Sequence, residues 1–251
     1  MEQIYQSLWK WLLEIVFPAF CLGCRQEGTF LCRVCEDSIV CLGKQLCPVC
    51  RRQNLFGKIC EECKNPEIFI DGVISAVSFQ EQSLLQKCIY AFKYDFVEDL
   101  AISLGKILFR AFKNSGLVCE LEIQGSEIFA CAVPLHVRRL NFRGFNQADL
   151  LTRHFLELWN VGNKKKILGV QFLERSHFHR PQMELRREAR IANIKDAFIV
   201  REEQKYLAKN ATIVLIDDVT TTLSTLNNCA KVLKAAGAKR IFGLVLAHGL
   251  K

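Results

Sequence analysis

The segment from Ile213 to Thr225, IVLIDDVTTTLST, joins a short apolar run to two carboxylates and a hydroxyl-rich turn. The apolar run predicts a strand that is buried on both faces of an α/β sheet. Asp217 and Asp218 follow at its C-terminal end, which is where open α/β sheets bind ligands. A Thr/Ser turn that leads into a helix offers N–H groups and hydroxyls to a phosphate, while carboxylates accept hydrogen bonds from sugar hydroxyls. The segment therefore predicts a ribose-phosphate site; the alternative is a buried strand that ends in solvated acids and a helix cap.

This segment resembles the phosphoribosyl-pyrophosphate (PRPP) loop of type I phosphoribosyltransferases, a hydrophobic strand followed by DD, an apolar pair and TTG-x-T. The resemblance implies that Asp217 and Asp218 hold the ribose hydroxyls. It also implies that the 5′-phosphate is surrounded by the loop residues Thr221, Thr222, Leu223, Ser224 and Thr225. Leu223 stands where the family has glycine, which suits a close ligand approach or a positive φ. The leucine tightens the loop, weakens phosphate binding, or marks a site without turnover.

Length and composition limit the class of protein. The 251 residues suffice for one α/β domain and a small module. The apolar stretch at 11–22 is interrupted by Glu14 and Pro18, which argues against a secretory signal or a membrane span. Thirteen cysteines without an export signal favour metal ligation in a reducing compartment, so we expect a cytoplasmic protein.

The net charge of +8 is unevenly distributed along the chain. Residues 1–70 contain eight basic and eight acidic side chains, whereas residues 136–190 contain twelve basic and five acidic ones. We therefore expect an anionic ligand near 136–190.

Eight of the cysteines form four CxxC pairs, a spacing that lets two thiolates converge on one tetrahedral ion. Two structural Zn²⁺ sites are predicted, with the ligands Cys21, Cys24, Cys32, Cys35, Cys47, Cys50, Cys60 and Cys63. Sequential pairing is the simpler assignment, and interleaved pairing stays open. Cys41 is predicted to be a packed thiol, and four single cysteines are predicted to be core residues: Cys88, Cys119, Cys131 and Cys229.

The cysteine-rich module is predicted to be architectural or to dock a protein. Each zinc bound by four thiolates carries a formal charge of −2, which disfavours a DNA-binding finger because phosphate contacts need Lys and Arg. An apolar stripe at helical spacing precedes the module and is predicted to pack on it or on a partner: Ile4, Leu8, Trp11, Leu12 and Ile15. We place the module and its helix at 1–68 and the α/β domain at 69–251.

The α/β domain is predicted from alternating strand and helix patterns. The predicted strands are Val73–Phe79, Ile128–Leu135, Lys166–Phe172, Ala197–Val200, Ile213–Ile216 and Arg240–Ala247. The predicted helices are Gln82–Phe92, Phe96–Phe112, Gln147–Trp159 and Ser224–Ala236. The last three elements form a βαβ unit in which Gly237 ends the helix.

Two arginine-rich segments are candidates for contact with a diphosphate. The loop at 134–147 carries Arg138, Arg139 and Arg143 before a helix, and arginine forks match phosphate oxygens. The alternative is a solvated loop capped by Asn146. The segment at 180–193 has the composition of a basic lid, or of a solvated helix face.

Together these segments resemble the ComF/GntX family of phosphoribosyltransferase-like proteins. The family's parts occur in order: paired CxxC motifs, VPLHxxRLxxRGFNQA at 133–148, RxQxxLxxxxRxxN at 180–193, and the DD-x-x-TT loop. RGFNQA is the most specific of these. The resemblance implies an N-terminal double zinc ribbon, a type I phosphoribosyltransferase fold with a mainly parallel sheet flanked by helices, and a cytoplasmic role in natural transformation. It does not imply a known acceptor.

The resulting enzyme hypothesis is a phosphoribosyltransferase that transfers ribose-5-phosphate from PRPP to an unidentified acceptor, with Mg²⁺ carried mainly by the diphosphate. Asp217 and Asp218 fix the ribose, the three loop arginines hold the pyrophosphate, and Lys93 and Arg180 are further candidates. One rival is a PRPP- or nucleotide-sensing adaptor that works with DNA-uptake or helicase and recombination proteins. The other is a single-strand DNA-binding protein that stacks bases on Phe142 and Phe145.

Overall fold

The computed structural model describes residues 18–78, 83–123, 127–175 and 198–249. Its β-strands are β1 (Gln45–Leu46), β2 (Gln53–Asn54), β3 (Gly72–Ser78), β4 (Ile128–Ala132), β5 (Leu168–Gly169), β6 (Leu173–Arg175), β7 (Phe198–Val200), β8 (Thr212–Thr220) and β9 (Arg240–His248). Its α-helices are α1 (Arg33–Asp37), α2 (Leu84–Tyr94), α3 (Leu100–Asn114), α4 (Leu117–Ile123), α5 (Val137–Arg143), α6 (Gln147–Gly162), α7 (Lys205–Ala208) and α8 (Ser224–Ala235).

The centre of the molecule is a five-stranded sheet in the order β3-β9-β8-β4-β5. Every neighbouring pair in this sheet is parallel, which confirms the predicted α/β class. Val214 and Ile216 of β8 pack in one hydrophobic cluster, and Ile213 and Leu215 pack in the other. Because successive side chains of a strand point to opposite faces, β8 is buried on both sides, as its apolar run predicts.

Strand β8 is longer than predicted. It continues from Thr212 through both carboxylates to Thr220, because β9 pairs with it as far as Thr220 and His248. The helix and strand that follow agree with the predicted βαβ unit, and Gly237 has a φ of +95° just after α8.

Other elements differ from the sequence prediction. The strand predicted at 166–172 is reduced to the two residues of β5, and β7 pairs with β6 in a separate antiparallel ribbon. The basic loop at 134–147 contains the helix α5, which ends at Gly144 with a φ of +78°. A short helix, α4, was not predicted, and Cys119 on it is exposed, so its assignment to the core was wrong.

The cysteine-rich segment is packed directly onto the sheet domain. Cys21, Leu31 and Ile39 belong to the same hydrophobic cluster as the core of the sheet. Leu42 donates its N–H to the carbonyl of Ala76 on β3 at 2.7 Å. The apolar stripe predicted within residues 1–17 lies outside the described residues.

Candidate functional site

The cysteines form two groups, each with its ligand atoms within 4.8 Å of one another. The first four-cysteine group is Cys21, Cys24, Cys32 and Cys35, and the second four-cysteine group is Cys47, Cys50, Cys60 and Cys63. Sequential pairing is therefore confirmed over interleaved pairing. Four thiolates at this separation suit tetrahedral coordination, so both groups are compatible with structural zinc sites. Cys41 lies outside both groups, with its Sγ 3.8 Å from the carbonyl of Ile107.

Asp217 and Asp218 lie on a cavity of about 340 Å³ at the C-terminal edge of the sheet. We call it the carboxylate cavity. Besides the two carboxylates, basic and hydroxyl side chains line it: Lys93, Arg139, Arg143, Arg175 and Thr225. The fold therefore brings the carboxylates and the basic segment, which are about seventy residues apart in sequence, to one site.

The two carboxylates have different environments. Asp218 is buried, and Lys93 Nζ lies 2.7 Å from its Oδ1. Burial and the neighbouring charge of Asp218 raise the pKa of Asp217 to about 7, although Lys93 and Arg175 oppose the increase. Lys93, which is a candidate to bind the diphosphate, thus forms an ion pair with Asp218.

The three arginines of the loop at 134–147 have different environments. Arg139 is exposed and lines the carboxylate cavity. Arg143 also lines it but is buried, and it donates from Nη1 to Gln147 Oε1 at 2.9 Å. Arg138 is exposed and is absent from the cavity lining described by the structure. His136 accepts a hydrogen bond from the backbone N–H of Arg138 at 3.1 Å, so it caps α5.

Arg175 is a cavity residue that sequence reasoning missed. It donates from Nε to the carbonyl of Pro134 at 3.3 Å, and its guanidinium lies over the ring of Phe198 at 4.8 Å. Its position at the end of an apolar run, just before the basic segment at 180–193, was the available signal. That segment, including Arg180, lies outside the described residues.

The predicted phosphate loop is divided between two cavities. Thr225 lines the carboxylate cavity, whereas residues 221–224 line a second cavity of about 520 Å³. We call this second space the knuckle cavity, because its lining also includes Val49 and Arg51, which flank Cys50 of the second four-cysteine group.

Leu223 adopts the backbone conformation expected of the glycine that it replaces. Its φ is +61° and its ψ is −11°, and it immediately precedes α8. The carbonyl of Leu223 accepts from the N–H of Asn227 at 2.8 Å, so the helix starts normally. Thr222 Oγ1 and Ser224 Oγ lie 3.0 Å apart on either side of it. The loop therefore keeps a left-handed turn at this position despite the leucine.

The five-stranded parallel sheet fits a type I phosphoribosyltransferase fold, and the two four-cysteine groups are compatible with a zinc-ribbon module. The chain is 26% identical to Competence protein F of Haemophilus influenzae over 84% of this chain and 94% of that protein. It is 26% identical to Competence protein ComFC of Streptococcus pneumoniae over 88% of this chain and 90% of that protein. It is 25% identical to DNA utilization protein YhgH of Escherichia coli K12 over 90% of this chain and 96% of that protein.

The chain is therefore similar, over most of its length, to proteins named for competence and DNA utilization, which agrees with the resemblance to the ComF/GntX family. No family model matches the sequence. Among the described residues, no helix combines the length and the apolar character needed to cross a membrane.

Proposed function

We propose that the chain binds PRPP and transfers its ribose-5-phosphate to an unidentified acceptor in competence or DNA uptake. The observation that carries the proposal is the carboxylate cavity, where Asp217 and Asp218 lie beside three arginines at the C-terminal edge of the sheet. Relatives named for competence and DNA utilization support the biological setting. Partners among DNA-uptake or helicase and recombination proteins are part of the same proposal.

The proposed chemistry is breakage of the C1–O bond of PRPP with development of an oxocarbenium-like centre. The carboxylates accept hydrogen bonds from the ribose hydroxyls and fix the sugar, so that the acceptor approaches C1 from one side. Arg139 and Arg175 offer N–H groups to the departing diphosphate, whose growing negative charge they stabilise. Mg²⁺ bound to the diphosphate would neutralise further charge, and the carboxylate oxygens are suitable hard ligands near it. The two four-cysteine groups hold structural zinc in this proposal.

Isothermal titration calorimetry with Mg-PRPP tests the binding step. We expect the wild type to bind and Asp217→Asn/Asp218→Asn to lose binding, because each amide removes the negative charge and replaces one acceptor oxygen with an NH2 donor. Asp99→Asn is the matched control, since Asp99 is exposed and its side chain forms no capping hydrogen bond. No heat from the wild type at millimolar PRPP would contradict both the enzyme and the sensor. Pyrophosphate release during a screen of bases and amines then separates them, since a sensing adaptor binds PRPP without releasing it.

Single-strand DNA binding is the second candidate, favoured by an exposed aromatic pair beside the basic segment. Phe142 is 66% exposed and Phe96 is 45% exposed, with ring centroids 5.6 Å apart. Phe145, the other predicted stacking residue, instead packs on Phe92 at 5.5 Å and on the core. Fluorescence anisotropy with labelled oligonucleotides should show salt-dependent binding that Phe142→Ala weakens about tenfold. Equal affinity of Phe142→Ala and wild type would remove the stacking role.

A further inference from the structure

One arginine of the cysteine-rich module lines the knuckle cavity together with the hydroxyls of the phosphate loop. Thr221, Thr222 and Ser224 are exposed and share this lining with Arg51. The loop, residues 221–225, contains no lysine or arginine. A phosphate at these hydroxyls could accept hydrogen bonds from N–H groups at the start of α8, and a charged donor is available from Arg51, the basic residue in the described lining of this cavity.

Arg51 is held in place by contacts at both ends. Its backbone has a φ of +63°, and its N–H donates to the carbonyl of Cys47 at 2.9 Å, which closes the turn of the second four-cysteine group. Its Nη2 donates to the carbonyl of Gly249. The N–H of Gly249 in turn donates to the carbonyl of Thr220 at 2.8 Å. The guanidinium is thus fixed beside the start of the phosphate loop.

The remaining donors of Arg51 are sufficient to bind a phosphate. A guanidinium has five N–H donors in a planar fork, so the bond to Gly249 leaves a second edge for phosphate oxygens. The linker after the module is also pinned to α8, since the N–H of Phe69 donates to Asn227 Oδ1 at 2.7 Å and Asn227 Nδ2 donates to the carbonyl of Glu67 at 2.7 Å. The linker and α8, which line the cavity through Ile68 and Asn227, are therefore held together.

We propose that Arg51 binds the 5′-phosphate of the phosphoribosyl ligand, so that the second four-cysteine group is part of the ligand site as well as of the architecture. This inference rests on the proposed function and adds a phosphate-binding residue to it. Arg52 offers a natural contrast: it lies outside the described lining of the cavity, and its exposed guanidinium forms an ion pair with Glu62.

Calorimetric titrations with ribose 5-phosphate and with inorganic pyrophosphate test the inference. Arg51→Gln should weaken ribose 5-phosphate about tenfold or more, the usual effect of losing a charge-assisted hydrogen bond. It should leave the affinity for pyrophosphate within about twofold of the wild-type value. Arg52→Gln should leave the affinities for both ligands within about twofold. Equal affinities of Arg51→Gln and Arg52→Gln for ribose 5-phosphate would overturn the role of Arg51, while the PRPP proposal would stand. A wild type that binds neither PRPP nor ribose 5-phosphate would overturn both.

A second measurement uses the unaltered protein, because Arg51→Gln also removes the bond to Gly249. Arginine modification by phenylglyoxal, followed by peptide mass spectrometry, reports the reactivity of Arg51 and Arg52 separately. Ribose 5-phosphate should slow modification of Arg51 several-fold and leave Arg52 unchanged. Modification of Arg51 at the same rate with and without ribose 5-phosphate would overturn the inference, whatever the variant shows.

Discussion

Replacement of Leu223 tests whether the phosphate loop stores backbone strain. An L-residue in the left-handed region costs roughly 1–2 kcal/mol relative to the right-handed region. Leu223 is in that region, with a φ of +61°, and its side chain packs partly against the core. Leu223→Gly removes both the strain and the side chain, whereas Leu223→Ala removes the side chain and keeps most of the strain. The pair of variants therefore isolates the backbone contribution.

The expected difference follows from two opposing contributions. Glycine relieves about 1–2 kcal/mol of strain, but it loses about 0.5–1 kcal/mol of backbone entropy on folding relative to alanine. The free energy of unfolding of Leu223→Gly should thus exceed that of Leu223→Ala by roughly 0.5–1 kcal/mol. Both variants lose the same packing, so that contribution nearly cancels.

Urea unfolding, followed by circular dichroism with excess zinc present, measures this difference. The midpoint of Leu223→Gly should lie at higher urea, with equal slopes for the two variants. An alanine variant as stable as the glycine variant would refute the strain argument. The same proteins test the ligand: if the leucine crowds the phosphate, both variants bind PRPP more tightly than wild type, and unchanged affinity excludes crowding.

Three other predictions concern the carboxylates and the metal sites. The folded-state pKa of Asp217 is about 7, against an ordinary aspartate value of 3.8. Its contribution to the free energy of unfolding is therefore fully present below pH 3.8 and is lost as pH rises through 7. Asp217→Asn should flatten this part of the pH profile of stability, and an unchanged profile would contradict the assigned pKa. PRPP binding to the ionised form should also strengthen from about pH 6 to about pH 8 with proton release, measured by calorimetry in buffers of different ionisation enthalpy. Elemental analysis should find about two zinc ions per chain and about one in Cys47→Ser, whereas Cys41→Ser should keep both; zinc loss in Cys41→Ser would contradict the grouping.

Local patterns in the sequence were sufficient for the parallel sheet, the βαβ unit and the cysteine pairs. The apolar run of β8 and the CxxC spacing are set by neighbouring residues, so they can be recognised without tertiary information. Helix α5 was missed because its sequence, VRRLNFR, is short and rich in arginine, and its apolar residues Val137, Leu140 and Phe142 are exposed. Its existence depends on the cap at His136 and on the left-handed Gly144 that ends it.

The site required contacts between distant segments, which the sequence does not reveal. The ion pair between Lys93 and Asp218 joins a helix and a strand more than a hundred residues apart. The division of the phosphate loop between two cavities depends on how the cysteine-rich segment docks on α8. This docking depends on packing between large surfaces, so it cannot be predicted from a short sequence motif.

The shared hydrophobic cluster of the module and the sheet affects how deletions are interpreted. Leu31 and Ile39 are buried against the core that the sheet domain supplies. A chain shortened to the sheet domain would expose that apolar face to water and would be prone to association. Loss of PRPP binding in such a truncated protein would therefore report insolubility as readily as a lost binding site. Single substitutions such as Arg51→Gln separate the two explanations, because they leave the buried face covered.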